Sequence, residues 1–367
     1  MTRERKIVQT SVIGIISNIL LVVAKSIIGF IANSISIITD AINNLSDVLS
    51  SLITIIGTKI AGKKPDKKHP FGHGRMEYLT SMIIAVIILV SATMAIYESI
   101  QTLIQGRKAS YDYVSIIVVS IAIAVKVALG IYFKVVGKKV DSEALKASGT
   151  DALFDSLLST ATLVGVLVSM LCHVDIEGYL GIAIGLFMIR SGIEILVKAY
   201  SSVIGERMEK ETSLQLKKIV TSFPEVRGVY DLVINNYGPT KSIGSIHIEV
   251  DDHMTAKEIH PLTRKITEKV YMELGIILTV GIYAKNESSE EILEIKKAVH
   301  DLVKNYPSFL QIHGFYVDEE KKQISFDLVY DFGAKNVEND VEEIKKVLKE
   351  QYPSYDYYVV LDNDVAD

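Results

Sequence analysis

Hydrophobic positions are unevenly spread along this chain. Up to about residue 203 they form long, nearly unbroken runs; beyond it they alternate with charges at the spacing of amphipathic helices and strands. A helix needs about 20 mostly apolar residues to cross a bilayer. Six stretches qualify, at about 7–31, 34–60, 78–104, 112–136, 142–171 and 178–203. The third, with "LTSMIIAVIILVSATMAIY", is among the cleanest, whereas the second and fifth carry acids. From about 210 to 286 the pattern predicts helix, strand, strand, helix, strand, and from 287 the same order recurs: "SSEEILEIKKAVHDLV" echoes "KETSLQLKKIVTSF" and "QISFDLVYD" echoes "SIGSIHIEVD".

Charge orients these elements. Arg3, Arg5 and Lys6 precede the first span. Lys63, Lys64, Lys67, Lys68 and Arg75 lie between the second and third, and Lys134, Lys138 and Lys139 between the fourth and fifth. The opposite side has little beyond Arg107 and Lys108. Cations concentrate on the cytoplasmic side, so both termini are expected there, in a multi-pass protein of the cell (inner or plasma) membrane. The expected fold class is therefore a membrane all-α six-helix transmembrane bundle followed by α+β ferredoxin-like cytoplasmic domains. Expected boundaries are 1–208 for the bundle, 209–287 for the first αββαβ domain and 288–367 for a second, divergent copy. The net charge of −5 over 367 residues argues against a nucleic-acid partner, and Cys172, the single cysteine, excludes an internal disulfide or a cysteine-rich zinc cage.

The acids of the second and fifth spans are the chemical signal. "TDAINNLSDVLSS" holds Asn43 and Asp47, and "SGTDALFDSLLS" holds Asp151 and Asp155. Each pair is spaced i,i+4, on one helix face. At about 1.5 Å per residue, Asp47 reaches the middle of its span and Asp151 and Asp155 come to a similar depth. An ionised Asp there costs about 2.5–3.5 kcal/mol even on the lenient insertion scale, and clustering adds like-charge repulsion. A divalent cation offsets both, and protons offset both when the cation leaves. Asp40 and Asn44 are read as ligand-orienting or water-facing. Lys126 and Glu98, also within spans, are read as structural, and Lys25 as snorkelling.

These motifs, with the "HPFGHGRMEYL" loop at 69–79 and the αββαβ tail, resemble the cation diffusion facilitator family over about residues 7 to 286. The resemblance implies a homodimeric divalent-metal/proton antiporter working by alternating access, a secondary active transporter rather than an enzyme. Zinc-exporting members usually place a His where Asp151 stands. The all-oxygen set suits Mn²⁺, with Fe²⁺ as a further option, and N-x-x-x-D plus D-x-x-x-D resembles the manganese-exporting branch. An exporter of Zn²⁺ or Cd²⁺, a membrane-anchored metal sensor and a Mg²⁺-dependent membrane enzyme are the competing readings.

Further candidates lie outside the spans. Asp66, His69 and His73 form a possible secondary metal site in the second-to-third loop. Arg75 and Glu77 are candidate ion-pair residues, with Glu206 as a partner for Arg75. In the tail, His247 and His260 are a possible metal site, although Tyr230, Tyr283 and Lys285 stand where relatives often place His, His and Asp. The second copy has Asp327 in place of His247 and shows no His cluster of its own, so it reads as an added dimerisation or regulatory module.

Overall fold

The computed structural model describes residues 2–31, 35–105, 113–172, 176–287 and 289–363. Two compact units emerge: residues 1–206 with 237–240, and residues 207–236 with 241–367. In the first, six long helices are present among the described residues: α1 (Arg3–Ile31), α2 (Ile35–Ala61), α3 (Met76–Gln105), α4 (Tyr113–Lys139), α5 (Glu143–Cys172) and α6 (Glu177–Ile204). Stretches of α1, α3, α4 and α6 are long and apolar enough to cross a membrane. The acids of α2 and α5 interrupt runs of otherwise comparable length.

Helices whose outer faces meet lipid gain little from burying apolar side chains, so close approach of small residues holds them together. The α4–α5 contact shows this directly. A Cβ placed on Gly149 would lie 2.9 Å from the Gly130 carbonyl oxygen, and one on Gly130 would lie 2.6 Å from Leu153 Cγ. Only glycine lets the two backbones approach so closely, one turn from Lys126 on α4. On α6, Gly178, Gly181, Gly185 and Gly192 similarly receive Leu103, Ser99, Ile96 and Leu89 of α3. Ile84 and Ile88 of α3 pack with Ala144 and Ala147 of α5 in a fully buried cluster.

The second unit runs α7 (Lys210–Thr221), β1 (Gly228–Asn236), β2 (Ser242–Asp251), α8 (Ala256–Leu274), β3 (Ile276–Lys285), then α9 (Glu290–Val303), β4 (Phe309–Asp318), β5 (Gln323–Tyr330), α10 (Val337–Gln351) and β6 (Asp356–Asn363). Each half is αββαβ with one three-stranded sheet, ordered β1-β2-β3 and β4-β5-β6. The first two strands of each pair antiparallel and the last joins the middle one in parallel. Local signals delimit the helices. Thr255 and Glu258 form a capping box at the start of α8, which ends at left-handed Gly275. Ser289 caps α9 by accepting from the Ile292 amide. Each half buries its own core: Leu216, Ile246, Ile248 and Ile266 in the first, Ile295, Phe326, Leu328 and Ile344 in the second.

The glycine seam makes a prediction. Gly149→Leu forces α4 away from α5, and overpacking of this kind costs about 1–3 kcal/mol. A lower melting temperature of the detergent-solubilised protein is expected; an unchanged one would contradict the close-contact account.

Candidate functional site

The α2 face that carries Asp47 is polar along much of its length. Asn44, Asp47, Ser50, Ser51, Thr54 and Thr58 recur at helical spacing, and all are buried. On α5, Ser148 and Asp151 are buried and Asp155 is half-buried. Thr54 Oγ1 lies 3.4 Å from Ser148 Oγ, so the two polar faces touch. Several buried groups here have no hydrogen-bond partner: Asn44 Nδ2, Ser50 Oγ and Thr58 Oγ1 on α2, with Ser11 Oγ and Asn18 Oδ1 on α1. Buried polar atoms are ordinarily satisfied, so this run marks a seam suited to water or a hydrated ion.

At the seam's centre stands a residue that sequence reading set aside. Lys126 of α4, 4% exposed, donates to Asp47 Oδ2 in a very short contact and to Asp155 Oδ2 at 2.8 Å. Asp151, 5% exposed, lies within electrostatic reach of Asp155, Asp47 and Lys126. The ammonium thus holds together carboxylates from two helices where a cation is otherwise needed. Its structural reading was too narrow: a protonated amine is no metal ligand, but it is a cation. The available signal was depth, because Asp47, Lys126 and Asp155 each stand near the middle of their helices.

The other span residues fall as follows. Asn43 lies on α2 one turn before Asp47, and its side chain, like that of Asp40, is outside the described residues. Asn44 is buried at 2% exposure rather than water-facing, and Lys25 is buried at 4% rather than extended to an interface. Glu98 is exposed. Glu77 finds Arg3, with Nη1–Oε1 at 2.5 Å and Nη2–Oε2 at 2.7 Å. The same guanidinium donates to the carbonyls of Val140 and Asp141 at 2.6 and 2.7 Å. This fork ties the starts of α1 and α3 to the end of α4. Glu206 accepts from Ser202 Oγ at 3.4 Å.

In the loop, Asp66, His69 and His73 do converge. Their ligand atoms lie within 4.8 Å of one another, with His69 Nδ1 at 3.4 Å and His73 Nε2 at 3.6 Å from the Asp66 carboxylate. The backbone amides of His69 and Lys68 donate to Asp66 Oδ1 at 2.7 and 2.9 Å and hold that carboxyl below its usual range. In the tail, His247 and His260 do not come together in either metal-sized cluster found among the described residues. His260 is exposed on α8, whereas His247 Nδ1 lies 2.9 Å from Asp231 Oδ2. Burial works against the Asp231 anion, but His313 and Tyr283 outweigh it and hold the carboxyl down to about 2; burial raises Asp327. Asp231 and His313 were not singled out in the sequence, and Asp327 was noted there only as the counterpart of His247 in the second copy.

A helical membrane unit with a buried cluster of acids and a separate α+β unit define a carrier of cations. The family model described as cation efflux transmembrane domain matches residues 11–204, and that described as cation efflux protein, cytoplasmic domain, matches residues 208–282. The chain belongs to the cation efflux, or cation diffusion facilitator, family: it is a membrane transporter of divalent metal cations. It is 32% identical over 282 residues to the uncharacterized transporter MJ0449 of Methanocaldococcus jannaschii, covering 74% of this chain and 99% of that one. It is 25% identical to the magnetosome protein MamB of Magnetospira over 70% of this chain and 88% of the relative. It is likewise 25% identical to the manganese efflux system protein MneP of Bacillus subtilis, over 77% and 96%.

Removing the ammonium tests the centre. Lys126→Met leaves buried carboxylates unpaired, a defect worth about 3–5 kcal/mol. The variant is expected to melt lower than wild type in metal-free buffer and to recover more of its melting temperature on addition of Mn²⁺. Identical melting with and without metal would show that Lys126 does not neutralise the acids.

Proposed function

We propose that this chain exports Mn²⁺ from the cytoplasm in exchange for protons by alternating access, as a homodimer whose six helices all cross the cell membrane and whose termini are both cytoplasmic. The observation that carries this reading is the convergence of Asp47 and Asp155 on Lys126 Nζ, with Asp151 buried alongside. The transport set is Asn43, Asp47, Asp151 and Asp155, all oxygen donors without imidazole or thiolate, a set that suits Mn²⁺ and also accepts Fe²⁺. The similarity to MneP, a manganese efflux system protein, supports manganese. In this reading 1–208 is the transmembrane domain, and 209–287 and 288–367 are two ferredoxin-like cytoplasmic domains. The first of these carries dimerisation, and Asp66, His69 and His73 form a secondary metal site at the cytoplasmic mouth.

Lys126 bears on the exchange ratio. Three ionised carboxylates beside one ammonium leave two negative charges in a low-dielectric setting. A divalent ion cancels both; in its absence two protons do. Burial penalises any other net charge, so the expected exchange is two protons per metal, without net charge movement. The unpartnered polar atoms along α2 and α1 line the route by which the hydrated ion reaches Asp47.

In proteoliposomes, Asp47→Ala, Asp151→Ala and Asp155→Ala should each abolish Mn²⁺ flux and the coupled pH change in the lumen. Wild-type flux should respond to a pH gradient and not to an imposed membrane potential. Normal Mn²⁺ transport by Asp151→Ala would end the assignment. For selectivity, Asp151→His introduces a nitrogen donor and should shift preference toward Zn²⁺; an unchanged metal profile would remove the argument from ligand hardness.

A further inference from the structure

The two αββαβ copies of the tail each contain the same backbone irregularity. In the first, the β1–β2 register shifts between Tyr230 and Val233; in the second, the β4–β5 register shifts between His313 and Tyr316. Each bulge contains a left-handed residue, Asp231 at φ 51° and Gly314 at φ 61°. Glycine adopts that conformation without steric cost, whereas a residue with a Cβ is strained there. The register also matches: Tyr230 pairs with His247 and His313 pairs with Asp327. The copies therefore present equivalent positions with different chemistry.

Those positions meet across the copies. His313 Nε2 lies 2.5 Å from Asp231 Oδ1 and 3.9 Å from Asp327 Oδ2. Tyr283 OH lies 2.6 Å from Asp231 Oδ2 and 2.7 Å from Asp327 Oδ2, and His247 Nδ1 is 2.9 Å from Asp231 Oδ2. Stacking fixes the rings: Tyr230 on His313 at 5.2 Å and Tyr283 on His247 at 4.6 Å between centroids. A Cβ on Gly314 would lie 2.9 Å from Asp327 Oδ2 and 3.1 Å from Tyr283 Cε1, so the left-handed glycine leaves room for both side chains where they stand.

This cluster is not satisfied by its own protons. His313 is 5% exposed, yet neither ring nitrogen has a directed hydrogen bond, and the facing Asp231 Oδ1 also lacks one. Tyr283 has a single proton for two carboxylates. Such a set of buried, misdirected acceptors and lone pairs is costly, and ligand atoms of Asp231, His313 and Asp327 all within 4.8 Å of one another enclose the volume of an ion. One imidazole with two carboxylates is a mixed nitrogen–oxygen set suited to first-row divalent metals.

We propose that a divalent transition-metal ion binds between the two cytoplasmic αββαβ copies, held by the Asp231 and Asp327 carboxylates and the His313 imidazole, and pins the second copy onto the first. Tyr283 and His247 are positioning residues that orient Asp231 and Asp327. The site lies within one chain, and neither copy holds a complete set. It is independent of the transport reading, because the transport set contains no imidazole.

That difference supplies the test. Full-length protein in detergent, stripped of metal, is loaded with Mn²⁺ and examined by electron spin-echo envelope modulation, which detects imidazole nitrogen bound to Mn²⁺. Metal content after equilibrium dialysis against Mn²⁺ or Zn²⁺ gives the stoichiometry. Wild type is expected to show imidazole modulation. His313→Gln should lower the metal bound by one ion per chain and, in the H69Q/H73Q background, abolish the modulation, and Asp327→Asn should weaken that same ion at least about tenfold. The double variant H69Q/H73Q, which empties the loop, should keep the modulation. Absence of imidazole modulation in wild type, its persistence in the triple variant H69Q/H73Q/H313Q, or its loss in H69Q/H73Q would each overturn the site. Should His313→Gln fail to fold, the stoichiometry of Asp327→Asn decides: an unchanged metal content and affinity overturns the proposal, and a weakened ion supports it.

Discussion

A lysine ammonium lodged between two aspartates in the middle of a helical bundle sets the terms for the membrane unit. Lys126, Asp47 and Asp155 come from three different helices, and Lys126 and Asp47 are almost wholly removed from solvent. Removing such charges from water costs several kcal/mol per ion, and mutual attraction returns that only with close, well-directed contacts. Apolar residues of similar size would hold α2, α4 and α5 together about as well. The charges are therefore poorly explained as glue, and well explained as a balance that a passing cation enters. The features around them follow from this constraint. Gly130 and Gly149 let α4 approach α5 closely enough for the lysine to reach, and hydroxyls on α2 and α5 keep the helix seam polar.

The tail is built on a different balance. Each αββαβ half has its own apolar core of matching composition, formed from one face of its sheet and the inner faces of its two helices. Between the halves, the contacts at Asp231, Tyr283, His313 and Asp327 are polar and charged. Apolar burial is non-directional and tolerates sliding, whereas a cluster of carboxylates and imidazoles fixes one geometry and responds to what binds it. A junction of this kind makes the relation between the halves sensitive to cations.

Strain and unsatisfied polarity coincide at Asp231. Asp231 sits in a left-handed bulge where the other copy has glycine, and unpartnered polar atoms concentrate along α1 and α2 and around His313. Such departures persist where the surrounding structure enforces them, and they cluster at sites of function. The regular parts, such as the capped helices α8 and α9, carry no such cost.

The sequence alone determined the order of elements. Apolar runs of bilayer length marked the long helices, the period-two and helical patterns marked both αββαβ halves, and Asp47, Asp151 and Asp155 stood out because an acid in such a run is conspicuous whatever surrounds it. These signals are local and need only spacing along one element. Tertiary structure alone decided which cation those acids face, since the pairing with Lys126 joins residues 79 and 29 positions apart. It also decided that Glu77 meets Arg3, and that His313 meets Asp231 across the tail rather than His247 meeting His260. A ligand set with one residue on the first copy and two on the second has no complete motif to read in either; it becomes a site only when folding brings the two sheets together.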